Sequence, residues 1–70
     1  MSELAEIKER VKKLNARATK MKMDLHDLSE ELPLGWEQVM EVAGETHSAF
    51  KALAEARAQL KEAEQKETPA

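Results

Sequence analysis

The sequence predicts an all-α fold: two long antiparallel helices joined by a short turn, a helical hairpin that dimerises into a four-helix-bundle-like rod. Three observations predict it. Between residues 4 and 32, apolar side chains recur in alternating steps of three and four, an a/d heptad pattern of about four heptads. The two-residue alternation of a half-buried strand fails throughout. One break, Pro33-Leu34-Gly35, separates two stretches otherwise composed of helix formers.

Seventy residues make one small domain. A core of that size is marginal, and the usual remedies are disulfides, a metal or association. The chain has no cysteine, which removes disulfides, thiolate metal sites and cysteine nucleophiles. Oligomerisation remains, with or without a metal held by His and carboxylates. The composition, 36% charged and only 3% aromatic, suits long surface helices. No basic-then-apolar leader opens the chain, and no apolar run approaches the ~18 residues of a membrane span, so a cytoplasmic protein is expected. A net charge of -3 disfavours a general nucleic-acid binder.

The first helix is expected over about 3–31. Ser2 can cap it, and Glu3 and Glu6 suit the positive end of its dipole. Its a positions are Leu4, Val11, Ala18, Leu25 and Leu32; its d positions are Ile7, Leu14, Met21 and Leu28. Ala18 is the small residue of the seam, so something large should face it. Met23 falls on the outer face, either as a lone exposed Met or as part of a second contact surface or a soft neighbour to a site at His26.

Residues 32–35 form the turn. Pro33 disfavours helix at Leu32, and Gly35 supplies backbone freedom. Trp36 is expected to pack under the turn on Leu32 and Leu28.

The second helix is expected over about 36–65, with a frayed tail at 66–70. Its a/d positions are Trp36, Val39, Ala43, Thr46, Phe50, Leu53, Arg57 and Leu60. Met40, His47 and Ala54 flank one side, and Val42, Ala49, Ala56 and Ala63 the other. This apolar face is wider than a two-helix seam needs. It therefore predicts a second neighbour, most simply another copy of the hairpin. Folding the chain about its turn sets Leu28 near Val39 and Met40, Leu25 near Ala43, Met21 near His47, Ala18 opposite Phe50, Leu14 opposite Leu53 and Ile7 opposite Leu60. The expected core and dimer residues are thus Leu14, Ala18, Met21, Leu25, Leu28, Trp36, Val39, Ala43, Phe50, Leu53 and Leu60. Gly44 interrupts the helix former pattern, through close helix approach beside Ala43 or through a kink.

Charge is unevenly distributed. Residues 8–22 hold Lys8, Arg10, Lys12, Lys13, Arg17, Lys20 and Lys22 against Glu9 alone. Residues 24–45 hold Asp24, Asp27, Glu30, Glu31, Glu37, Glu41 and Glu45 with no Lys or Arg. The hairpin should carry an acidic pole at its turn end, with Asp24, Asp27, Glu31, Glu37 and Glu41 the candidates for binding a basic partner. Asp24, Asp27, Glu30 and Glu31 crowd the C-terminal end of the first helix, where the dipole favours cations. A solvated charged face is the plainer explanation of such a run.

His26 lies within the acidic pole. Glu30 follows four residues later on the same face, and Asp27 is adjacent. Imidazole with carboxylates suits a divalent metal such as iron, nickel or zinc, which makes His26, Asp27 and Glu30 the metal candidates. Two such ligands do not complete a site, and an exposed His26–Glu30 pair is the simpler reading. The Glu-x-x-His repeats of di-iron bundles are absent. His47 reads as a bundle histidine. No nucleophile–base pair and no enclosed pocket are expected, so no catalytic residue is assigned.

The run Lys22-Met23-Asp24-Leu25-His26-Asp27-Leu28-Ser29-Glu30-Glu31-Leu32-Pro33, with Trp36-Glu37 and Val42-Ala43 after it, resembles the Rop-like family of small helical-hairpin proteins associated with nitrogen-fixation gene clusters. The likeness is dense from about Lys12 to Leu53. It implies an antiparallel hairpin that dimerises and a genomic link to nitrogenase or to assembly of its iron–molybdenum cofactor. It implies no established reaction. Suspected metal binding among members adds weight to His26 and its carboxylates. The family name refers to shape and does not carry RNA binding with it.

The expected function is therefore a non-enzymatic accessory protein of nitrogen fixation, acting by protein–protein interaction. Its expected partners are itself and nitrogenase or cofactor-assembly proteins, with no membrane. The alternative is a protein that binds or delivers a divalent transition metal through His26. An RNA-binding bundle using Lys12, Lys13, Arg17 and Lys20 ranks third.

Overall fold

A computed structural model describes residues 2–67. The described chain is a helical hairpin, and none of its residues forms a strand. Helix α1 spans Glu3–Glu31, a single 3₁₀ turn spans Trp36–Gln38, and helix α2 spans Val39–Glu67. The helices are packed side by side into a rod of 54 × 18 × 14 Å. No helix among the described residues is long and apolar enough to cross a membrane.

Helix α1 starts where the sequence places a cap. The Ala5 amide donates to the Ser2 hydroxyl oxygen at 3.1 Å, which satisfies one of the orphan amides of the first turn. Glu3 and Glu6 lie against the positive end of the helix. The helix stops at Leu32, which is extended at φ -55°, ψ 142°, the conformation favoured before proline. The Leu34 amide donates to the Glu31 carbonyl at 3.0 Å, and Gln38 donates to Gly35 at 2.9 Å.

Gly35 closes the turn at φ +76°. A Cβ there would sit 3.1 Å from Leu28 Cδ1, so the glycine backbone itself covers the end of the core. This corrects the expectation for Trp36. Trp36 is 66% exposed, whereas Leu28 is buried beside the Gly35 turn.

The core also sits differently on α2 than the a/d assignment implies. Ala18, Met21, Ala49 and Leu53 form one buried cluster, with Val11 and Leu14 packed against it. The register is close to the expected one. The Thr46 hydroxyl donates to the Val42 carbonyl at 2.8 Å and lies 3.3 Å from the Met21 carbonyl. The rotation is not the expected one. Ala49 shares the cluster with Ala18, whereas Phe50 points away and is 41% exposed. Ala18 therefore shares its cluster with a small residue of α2, a combination that permits close approach of the two backbones. Arg57, expected in the seam, is exposed and donates to Asn15 Oδ1 at 3.3 Å.

The inner stripe of α2 runs through Val39, Val42, Thr46, Ala49, Leu53, Ala56, Leu60 and Ala63, all buried or half-buried. Its alternating three- and four-residue steps make it a heptad seam in its own right. On α1, Leu4, Ile7, Val11, Leu14 and Leu25 are half-buried and Ala18, Met21 and Leu28 buried, as the heptads predict.

Helix α2 continues through Lys66 and Glu67, two residues past its expected end. The remainder of the expected frayed tail, 68–70, lies outside the described residues. Gly44 is enclosed by α2 and exposed, and a Cβ there would meet no atom within 4 Å. A close approach inside the hairpin therefore does not account for it, although glycine costs about 1 kcal/mol relative to alanine in a helix interior.

Candidate functional site

Three surface features carry the candidate chemistry: the acidic pole, the His26 group within it, and an apolar stripe on the outer face of α2.

The pole is built at the turn because the C-terminal end of α1 and the start of α2 meet there. Glu31, Glu37 and Glu41 are exposed and make no ion pair among the described residues. Asp27 is also exposed. Asp24 differs from the rest. It is half-buried and held at 3.1 Å by Lys20 one turn earlier, so it is already neutralised by the basic band. No basic residue lies in the last turn of α1 to offset Glu30 and Glu31 at the negative end of its dipole.

His26 stands between two carboxylates. Its Nε2 lies 3.2 Å from Glu30 Oε1, and its Nδ1 lies 3.8 Å from Asp27 Oδ1. The Ser29 hydroxyl donates to the His26 carbonyl at 2.7 Å. All three titratable side chains are about two-thirds exposed or more. The two carboxylates address opposite nitrogens of the ring, so they do not converge with it on one point. Among the described residues, no three His, Cys, Asp or Glu side chains are grouped so as to hold a metal ion. His47 lies exposed on α2 rather than inside the hairpin.

The outer stripe begins at Trp36 in the 3₁₀ turn and continues on α2 through Met40, Ala43, His47, Phe50 and Ala54. These positions again step by four and three. At 3.6 residues per turn, this stripe lies about 110° around α2 from the inner one. Met40 is 83% exposed, and Leu34 in the turn extends the patch at 76%. Sequence reasoning merged the two stripes into one broad face. The signal that separates them is the pair of interleaved heptads, one rich in alanine and the other in large side chains.

A groove of about 320 Å³ lies at the opposite end of the rod, floored by Leu4, Ile7 and Ala63 and rimmed by Glu3, Glu62 and Lys66. None of these residues is buried, and Glu62 faces Lys66 at 3.6 Å. The groove holds no nucleophile–base pair. The basic band of α1, including Lys12, Lys13, Arg17 and Lys20, is exposed along the middle of the rod.

The chain closely resembles several known proteins. A UPF0437 protein of Azorhizobium caulinodans is 50% identical over 64 residues, covering 91% of this chain and 93% of its own. A Frankia alni protein described as a UPF0437 protein in the nifX–nifW intergenic region is 46% identical over 50 residues, 71% of this chain and 61% of that one. A small protein solved by NMR by the Northeast Structural Genomics Consortium superposes with a TM-score of 0.82 at 49% identity, over 100% of both chains. A model of the Rop-like family matches residues 2–65, nearly the whole chain, in keeping with its hairpin of two packed helices. The chain belongs to the Rop-like family.

Proposed function

We propose that this chain is a non-enzymatic accessory protein of nitrogen fixation. It acts as a dimeric helical hairpin that presents its acidic pole to a basic surface on nitrogenase or on a protein that assembles the iron–molybdenum cofactor. The observation that carries this reading is the set of exposed carboxylates gathered at the turn: Glu31, unpaired at the negative end of α1, and Glu37 and Glu41, unpaired where α2 begins, with Asp27 beside His26. Basic side chains on a partner would offset the mutual repulsion of these carboxylates and the cost of Glu30 and Glu31 at the negative end of α1. The Frankia relative, described by its place between nifX and nifW, supports the connection to nitrogen fixation.

The test is capture of purified nitrogenase components and cofactor-assembly proteins by the immobilised chain. Binding should fall at least tenfold when Asp27, Glu31, Glu37 and Glu41 are changed together to their amides, and it should weaken as salt rises. Salt-independent capture, equal for both proteins, would sink the reading.

A second reading rests on the His26–Glu30 pair, which sets imidazole and carboxylate within 3.2 Å of each other. It makes the chain a binder or carrier of iron, nickel or zinc, with the remaining donors supplied by another protein. Anaerobic equilibrium dialysis of the chain and its His26→Ala variant checks this. Stoichiometric retention lost in the variant supports it, and equal retention removes His26 from the chemistry.

A further inference from the structure

We infer that the outer stripe of α2 is the self-association surface, and that two copies cross there antiparallel with their twofold axis at Ala43 and Gly44. This inference deepens the dimer contained in the proposed function and rests on it.

The occupant is identified by a symmetry in the sequence of the stripe. A twofold contact maps each position before its centre onto one after it, so that residue i meets j and j meets i. About Ala43, Trp36 lies seven residues before and Phe50 seven after. Met40 and His47 lie three before and four after. About the adjacent Gly44, Glu37 lies seven before and Lys51 seven after, and Leu34 and Ala54 lie ten before and ten after. Antiparallel crossing at this centre therefore sets Trp36 against the second copy's Phe50, Met40 against its His47, and Ala43 against its own counterpart. Along the border, Glu37 meets the second copy's Lys51, twice by symmetry. Large faces large, small faces small, and acid faces base.

Other arrangements lose this match. Parallel pairing sets Glu37 against Glu37. Antiparallel overlap centred on Phe50 sets Trp36 against Glu64 and Ala43 against Arg57. Gly44 supplies an independent observation. Beyond the helix's own adjoining backbone, no atom of the described residues comes within 4 Å of where its Cβ would be, so packing inside the hairpin does not call for a glycine there. A helix crossing at Ala43 gives it a reason. The two stripes of α2, about 110° apart, also match what a helix in a four-helix bundle requires, with one neighbour in its own chain and one in the other.

The test uses the 70-residue chain, which has no cysteine to interfere. Sedimentation equilibrium should find a dimer that Trp36→Asp or Phe50→Glu converts to monomer with unchanged helical circular dichroism, since both side chains are exposed in the hairpin. Glu37→Lys should weaken the dimer about fivefold, and adding Lys51→Glu should restore it. Oxidised Ala43→Cys should form a disulfide-linked dimer, whereas Phe50→Cys should not. A dimer in which Phe50→Cys links and Ala43→Cys does not overturns this register and leaves self-association standing. A dimer indifferent to Trp36→Asp and Phe50→Glu overturns the surface. A chain monomeric at every concentration overturns both this inference and the dimer in the proposed function, while the acidic-pole capture experiment is read separately.

Discussion

Helix α2 carries two heptad stripes, and they are built from different residues. The inner stripe is dominated by Ala49, Ala56, Ala63, Val39 and Val42, with Leu53 and Leu60 as its large members. The outer stripe holds Met40 and Phe50, the large exposed side chains of the helix, and Trp36 in the 3₁₀ turn that leads into it. The small stripe faces α1 and the large one faces solvent. Total hydrophobicity therefore does not decide which face of a helix meets its nearest neighbour. Close approach does. Ala18 on α1 is matched by Ala49 on α2, and at that spacing the leucines and methionine on either side fill the gap between backbones. A tryptophan or phenylalanine at the same positions would hold the helices apart.

This contrast can be broken from either side, and denaturant unfolding at micromolar and at hundredfold higher protein concentration separates the outcomes. The largest loss is expected for Leu53→Ala, which removes a nearly fully buried side chain from the inner seam. It should destabilise the hairpin by about 2–4 kcal/mol at both concentrations. Ala49→Leu attacks the same seam by overpacking and should cost about 1–3 kcal/mol. An Ala49→Leu hairpin as stable as the native one would show that close approach at Ala18 is not what orients α2.

Gly35→Ala should cost about 1–2 kcal/mol, because it combines a positive φ with a Cβ only 3.1 Å from Leu28 Cδ1. The smallest effect on the hairpin itself is expected for Met40→Ser on the outer stripe. It should change stability by no more than about 0.5 kcal/mol at the lower concentration. At the higher concentration it should abolish the extra stability that association confers on the native chain. A Met40→Ser chain destabilised equally at both concentrations would mean that the outer stripe is packed within the hairpin.

Much of the candidate site was legible in the residues. The pairing of His26 with Glu30 follows from their four-residue spacing, and the acidic pole follows from the absence of Lys and Arg between 24 and 45. Its inner gradation was not legible. Asp24 carries the same formal charge as Asp27, but Lys20 pairs with it, Asp27 lies beside His26, and Glu31, Glu37 and Glu41 are left as the open carboxylates. Nor does spacing say that Asp27 and Glu30 address opposite nitrogens of one imidazole, since that depends on the rotamer of each side chain.

By itself the sequence determined helix α1 from its Ser2 cap to the break before Pro33, the turn, a second long helix, which starts at Val39 after a 3₁₀ turn and not at Trp36, and a register good to about one residue. These follow from local preferences and from the length of the turn, and both are written residue by residue. The rotation of α2 about its own axis was decided only by the tertiary structure. Two stripes about 110° apart are both apolar enough to be buried, and one-dimensional periodicity assigns them equal rank. Only the distance between backbones, set by Ala18 against Ala49 and by the Gly35 turn over Leu28, selects the alanine-rich stripe and leaves Trp36, Met40 and Phe50 outside.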